Sequence, residues 1–220
     1  MMQPIISVVQ QKGGVGKTTI SICLAGELRR RGIDLSLVDT DRNGSATSWA
    51  EPGRLLFPVV SSPILEGRAR DWVRTINQMR SQLLVIDGAP NDYSIGAAVA
   101  LADVAIVPCG PSSLDIEGTI QALRVIDNVR ARRPTPLPVI IVPNRVDPRT
   151  LEGRQIADEL PELGEAVGPS LGYRMDYVRA FMEGKSINTY SPGSLADGEV
   201  RALADQVLRS LPPRQRNGHG

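Results

Sequence analysis

The sequence predicts a single α/β domain built on a mostly parallel, twisted sheet with helices on both faces. Three observations carry this reading. Short β-branched runs alternate with helix-length segments along almost the whole chain, as in repeated β-α-β units. The longer runs are apolar at successive positions, as strands buried on both faces are. The 220 residues, 41% hydrophobic and 22% charged, supply one full core but not two typical ones.

The first strand spans residues 5–10 and ends in glycines, and residues 19–31 follow as an amphipathic helix. Residues 35–40 make a second buried strand and 58–61 a weaker one, while 65–80 carries apolar residues at helical spacing. The runs 83–86, 104–108 and 139–142 complete the sheet. Helices fill the gaps at about 93–101, 114–132, 150–160, 177–183 and 197–211. Prolines 134, 136 and 138 mark a turn between helix and strand, not a domain linker. The domain therefore covers 1–211, and the Pro/Arg/Gly-rich segment 212–220 reads as a disordered tail. No internal repeat is visible.

Composition removes several function classes. A formal net charge of +1 gives no global attraction to nucleic acid, so any DNA contact needs a local patch. The one histidine, His219, lies in the tail, which excludes a Ser-His-Asp triad and a histidine-rich metal site. Cys23 and Cys109 form no CxxC pair and read as reduced core thiols. The first strand starts almost at Met1 and no apolar run reaches membrane-spanning length, so an intracellular, cytoplasmic protein is expected.

The chemistry concentrates at strand ends. Gln11-Lys12-Gly13-Gly14-Val15-Gly16-Lys17-Thr18-Thr19 lies between a strand and a helix, the context of a phosphate-binding loop. Its glycines let backbone N–H groups converge on phosphate oxygens, and the helix start adds positive potential. Lys17 supplies a point charge to the β- and γ-phosphates, and Thr18 a hydroxyl for Mg²⁺. This makes the fold class a P-loop NTPase. Only three of the 25 basic residues are lysines, and two of them, Lys12 and Lys17, stand in this loop. A compact ammonium suits it where a planar guanidinium would not. Asp39 and Asp41 end the second strand two residues apart and so project to one side, where they can hold Mg²⁺-bound water or orient an attacking water. A solvated acid pair in a turn is the competing reading. Leu83-Leu84-Val85-Ile86-Asp87 delivers one acid from a buried strand, a Walker B pattern.

The lysine at the head of Lys12-Gly-Gly-Val-Gly-Lys17-Thr18 resembles the deviant Walker A family, which includes ParA partition ATPases, MinD division-site ATPases, the arsenite-pump ATPase and the nitrogenase iron protein. Asp-Gly-Ala at 87–89, Val38-Asp39-Thr40-Asp41 and Pro111-Ser112-Ser113-Leu114-Asp115 are similar to the small ParF-type partition ATPases. The resemblance covers about 5–211 and implies an ATP-sandwich homodimer in which Lys12 reaches the other subunit's phosphates. It implies ATP or ADP on Gly13, Gly14, Val15, Gly16, Lys17, Thr18 and Thr19. It implies Mg²⁺ near Thr18, Asp39 and Asp87, with Asp41 positioning water. Arg42-Asn43 replaces the family's usual Pro-Gln after that acid. Asn144, in Asn144-Arg145, would meet the adenine, a turn-forming role ahead of Asp147-Pro148 being the alternative.

The function implied is a weak basal ATPase, stimulated by a partner, that binds DNA non-specifically and drives plasmid or chromosome segregation on the nucleoid. The partner would be a ParB- or ParG-like centromere-binding protein or a cargo adaptor. Arg149, Arg154, Arg174, Arg179, Arg201 and Arg209 are the candidate DNA contacts, interleaved with acids. Positioning of another cargo, such as carboxysomes, shares every motif. A MinD-like membrane role fits less well, because Pro212-Pro213 stop the last helix before an amphipathic anchor can form.

Overall fold

The computed structural model describes residues 3–212, so the expected tail lies, but for Pro212, outside the described residues. In chain order come β1 (Ile5–Val8), α1 (Lys17–Arg30), β2 (Leu35–Asp39), α2 (Ser45–Ala50), β3 (Val59–Ser61), α3 (Ala69–Gln78), β4 (Leu83–Asp87) and α4 (Asp92–Leu101). They are followed by β5 (Val104–Cys109), α5 (Ser113–Arg130), β6 (Val139–Val146), α6 (Leu151–Glu159), β7 (Ala166–Val167), β8 (Leu171–Gly172), α7 (Met175–Met182), α8 (Ile187–Tyr190) and α9 (Leu195–Ser210). The strands lie in the order β3-β2-β4-β1-β5-β6-β7, with β8 also on β6, and the paired strands run parallel.

The continuous apolar runs divide by pleat between two core layers. Ile6, Val8, Leu83, Val85, Val104 and Ile106 face one layer with α1, α8 and α9. Ile5, Leu84, Ile86, Ala105 and Val107 face the other with α3, α4 and α5. A one-residue slip would move every one of these side chains to the wrong layer, so register is strongly fixed. In that register Asp39 lies beside Asp87, and Val8 beside Asp87. The ends of β1, β2 and β4 thus meet at one edge, around the point where strand order reverses from β1 toward β4 or β5.

Four of the helices start where a side chain satisfies a free N–H group. Asn91, Ser112, Thr150 and Ser194 cap α4, α5, α6 and α9, and each has an acid in its first turn. The 14-residue α1 differs: it starts after Gly16, with neither a side-chain cap nor an acid in its first turn. Its N–H groups remain available to an external anion.

The expected elements form with small shifts, and five further ones, a 3₁₀ turn at Leu160–Leu163 among them, were not legible. The helix α2 hides inside the segment after Asp41, and α8, β7 and β8 have two to four residues each, too few to show a period.

Candidate functional site

A cavity of about 780 Å³ opens at the carboxyl edge of the sheet. Gly13, Gly14, Gly16, Lys17, Thr18 and Thr19 line one side of it, with Asp41, Asp87 and Asn144. The loop conformation requires glycine at 14 and 16, whose φ values are 74° and 100°.

Lys17 is buried, and its ammonium donates to the Lys12 carbonyl at 3.0 Å. Burial lowers its pKa, and the carboxylates of Asp87 and Asp41 oppose that shift. Thr18 Oγ1 donates to Asp87 Oδ2 at 2.7 Å, and Ser21 Oγ to Asp87 Oδ1 at 3.0 Å. Burial pushes the Asp87 carboxyl up to about 7 against the help of those hydroxyls, with Asp39 nearby adding to the rise. Among the described residues no three His, Cys, Asp or Glu side chains form a ready metal cage. Mg²⁺ does not require one, since it favours one or two protein oxygens completed by water and phosphate. The hard Thr18–Asp87 oxygen pair at the head of α1 fits that ion.

Three expected residues take more specific places. Asp39, expected beside Mg²⁺, is fully buried and does not line the cavity. Its Oδ1 accepts from the Asp41 N–H at 3.1 Å, and its Oδ2 from the Thr47 N–H at 2.9 Å and hydroxyl at 3.0 Å. It therefore shapes the loop that presents Asp41. Asn144, expected at an adenine, is buried, and its Nδ2 donates to the Val15 carbonyl at 2.6 Å. It thus braces the phosphate loop from beneath. Lys12 does not line this cavity; its ammonium pairs with Asp115 at 2.6 Å, on the first turn of α5. Thr40 joins the two acidic strand ends, donating to the Asp87 carbonyl at 2.8 Å and accepting from the Ala89 N–H at 3.0 Å.

The opposite wall was missed in the sequence. Trp49, Tyr173, Arg174, Tyr177, Val178 and Phe181 form it, from α2 and from β8 to α7. The chain has two Trp, four Tyr and two Phe, and half of these eight aromatics line one cavity. That scarcity was the available signal, but nothing in the sequence brings position 49 to position 181. Arg145, also on the rim, is the one non-glycine among the described residues with positive φ, 58°, at the bulge where β6 meets β8.

The arginines offered for DNA divide. Arg149, Arg174 and Arg201 are committed to Asp147, Glu199 and Asp197. Arg154, Arg179 and Arg209 are exposed and, among the described residues, within no ion pair. Among the described residues no helix is long and apolar enough to cross a membrane, and α9 buries Ala196, Val200, Leu203, Ala204 and Val207 in the core.

Comparison with known proteins agrees with the fold. A family model described as the CobQ/CobB/MinD/ParA nucleotide binding domain matches residues 6–187. The maintenance of carboxysome distribution protein A of Halothiobacillus neapolitanus is 29% identical over 211 residues, 93% of this chain and 96% of that protein. The chromosome-partitioning ATPase Soj of Thermus thermophilus is 30% identical over 237 residues, 92% of this chain and 94% of its own. The septum site-determining protein MinD of Pyrococcus horikoshii, solved in complex with Mg-ADP, shares the fold with a TM-score of 0.75 at 17% identity, covering 94% of this chain and 96% of that one.

Proposed function

This chain belongs to the CobQ/CobB/MinD/ParA nucleotide-binding family, and from that premise we propose that it is a Mg²⁺-dependent ATPase of the ParA type. Its ATP-bound homodimer binds DNA non-specifically and segregates a plasmid or chromosome, with hydrolysis stimulated by a centromere-binding partner. The observation that carries the reading is the Thr18 hydroxyl 2.7 Å from Asp87 at the mouth of an uncapped helix, behind a loop that begins with Lys12. Thr18 and Asp87 would hold Mg²⁺ there, and the ion would neutralise negative charge on the nucleotide's phosphates. Gly13 to Thr19 carry the phosphates, and Asp41, on the cavity wall, positions the attacking water.

Lys12 makes turnover slow in the single chain. Its charge is neutralised by Asp115, and dimer closure would exchange that carboxylate for the other subunit's phosphates. Arg154, Arg179 and Arg209 are the arginines left to contact phosphodiester backbone.

The test is fluorescence anisotropy of a labelled random-sequence duplex with ATP, ADP or no nucleotide, at low and physiological salt. Binding in ATP alone, weakened by salt and lost in Lys12→Ala, is the expected result. No binding in any nucleotide state, by protein shown to hydrolyse ATP, would overturn the DNA-segregation reading. A second reading, positioning of a different cargo such as a carboxysome, is favoured by the 29% identity to the carboxysome distribution protein. It predicts the same DNA result, and the neighbouring genes separate the two: shell proteins for one, a small DNA-binding partner for the other.

A further inference from the structure

The helix α2 follows the loop that carries Asp41, and with six residues it is too short to hold its own place. Its position is set by what grips its two ends. At the start, Asp39 takes the Thr47 N–H and hydroxyl on one oxygen and the Asp41 N–H on the other. Between these grips Asp41 is folded into a tight turn, its Oδ1 accepting from the Asn43 N–H at 3.0 Å and its carbonyl from the Gly44 N–H at 3.0 Å.

At the other end the grip is Trp49. Its ring meets Phe181 of α7 edge to face, centroids 5.1 Å apart at 83°, and its Nε1 donates to the Lys185 carbonyl at 3.0 Å. The chain beyond it stays on the same seam. Pro52 packs so closely on Gly184 that a Cβ there would lie 2.6 Å from the proline ring, and Arg54 reaches the Glu183 carbonyl at 3.4 Å. Gly184 has φ of 62°, so the turn after α7 suits glycine on both counts. Trp49 is buried at 3%, whereas Phe181 is 47% exposed and faces the cavity. The same cavity is lined by Asp41 and by Trp49, Val178 and Phe181.

We propose that Trp49 is a positioning residue for hydrolysis: it ties the loop bearing Asp41 to α7, so that the aromatic wall of the cavity and the water-positioning acid move together. The proposal rests on the ATPase reading of this cavity. A nucleotide that settles against α7 sets Phe181, Phe181 sets Trp49, and the short α2 passes that placement to Asp41. Trp49 itself need not touch the reacting atoms.

The test compares wild type with Trp49→Phe, which keeps a ring against Phe181 but loses the N–H, with Phe181→Ala, and with the double variant. Turnover of Mg-ATP and the Kd of a fluorescent ADP analogue are measured for each. Because small misplacements of a catalytic group cost large factors in rate, kcat should fall roughly tenfold or more in each single variant. In Trp49→Phe the Kd should stay within about twofold, the mark of an interaction that acts on the chemical step, whereas Phe181→Ala removes part of the cavity wall and also weakens analogue binding. The double variant should lose no more than the worse single one, since both residues act through one link. In Trp72→Phe, where Trp49 is the remaining tryptophan, adding Mg-ATP should shift the emission. An unchanged kcat in either single variant, an equal loss in kcat and affinity in Trp49→Phe, or additive losses in kcat would each overturn the proposal while leaving the ATPase reading intact. A wild type that binds the analogue and does not turn over ATP would overturn both.

Discussion

Gly16 concentrates several requirements at one residue. Its φ of 100° is closed to ordinary side chains, and a Cβ there would lie 2.2 Å from Asn144 Nδ2. Gly16→Ala should therefore weaken binding of a fluorescent ATP analogue about tenfold or more, since such strain costs about 1–3 kcal/mol. Adding Asn144→Ala removes the clash but not the strained φ, so rescue should be partial. Asn144→Ala alone separates two roles. If it braces the loop through the Val15 carbonyl, binding of inorganic tripolyphosphate weakens along with that of ATP. If it serves an adenine, tripolyphosphate is unaffected, and isothermal titration of both ligands decides. The phosphate loop was legible in the sequence because its residues are contiguous and flanked by a strand and a helix. Asn144 was legible as a candidate, but which group it meets depends on β6 lying next to β5, which no local pattern specifies.

At the scale of elements, α1 is held between the site and α9 by a charged seam. Arg30 and Arg31 meet Glu27, Asp197 and Asp205, and Arg201 closes on Asp197. Burial would raise the Asp197 pKa, but the Gly193 N–H, Arg30 and Arg201 outweigh it and hold the group below the usual carboxylate range. A folded-state pKa below the unfolded one stabilises the fold above the unfolded value, near 4, and the contribution is lost as pH falls through the folded value. Asp197→Asn should thus cost about 1–3 kcal/mol at pH 7, and urea unfolding should show the gap to wild type narrowing below about pH 4. A gap independent of pH would assign the loss to packing instead. The long strands and helices on either side of this seam were readable, because their apolar runs or periods extend over many residues. The pieces α2, α8, β7 and β8 were not, since each is placed by tertiary contacts: Asp39 and Trp49 for α2, the side of β6 for β7 and β8.

Across the whole molecule, the sheet works as a frame that brings one edge to a point. Parallel register sets Asp87 between Val8 and Asp39, so the phosphate loop and both acidic strand ends converge without any long connection. The frame carries a desolvated ammonium at that point, because Lys17 is buried and its pKa is lowered by that burial. Such a group costs the empty fold stability and repays it when phosphate arrives. Lys17→Ala should consequently leave the melting temperature of the ligand-free protein unchanged or higher. Wild type with Mg-ADP at about a hundred times its Kd gains about 2.7 kcal/mol, which for a domain of this size raises the melting temperature by about 5–10 °C. Lys17→Ala should lose that rise. Thermal unfolding with and without Mg-ADP tests both halves at once. A variant that melts lower than wild type without ligand would show that Lys17 holds the fold through the Lys12 carbonyl, whereas a variant that keeps the shift would show that binding rests on the loop's backbone and α1 alone.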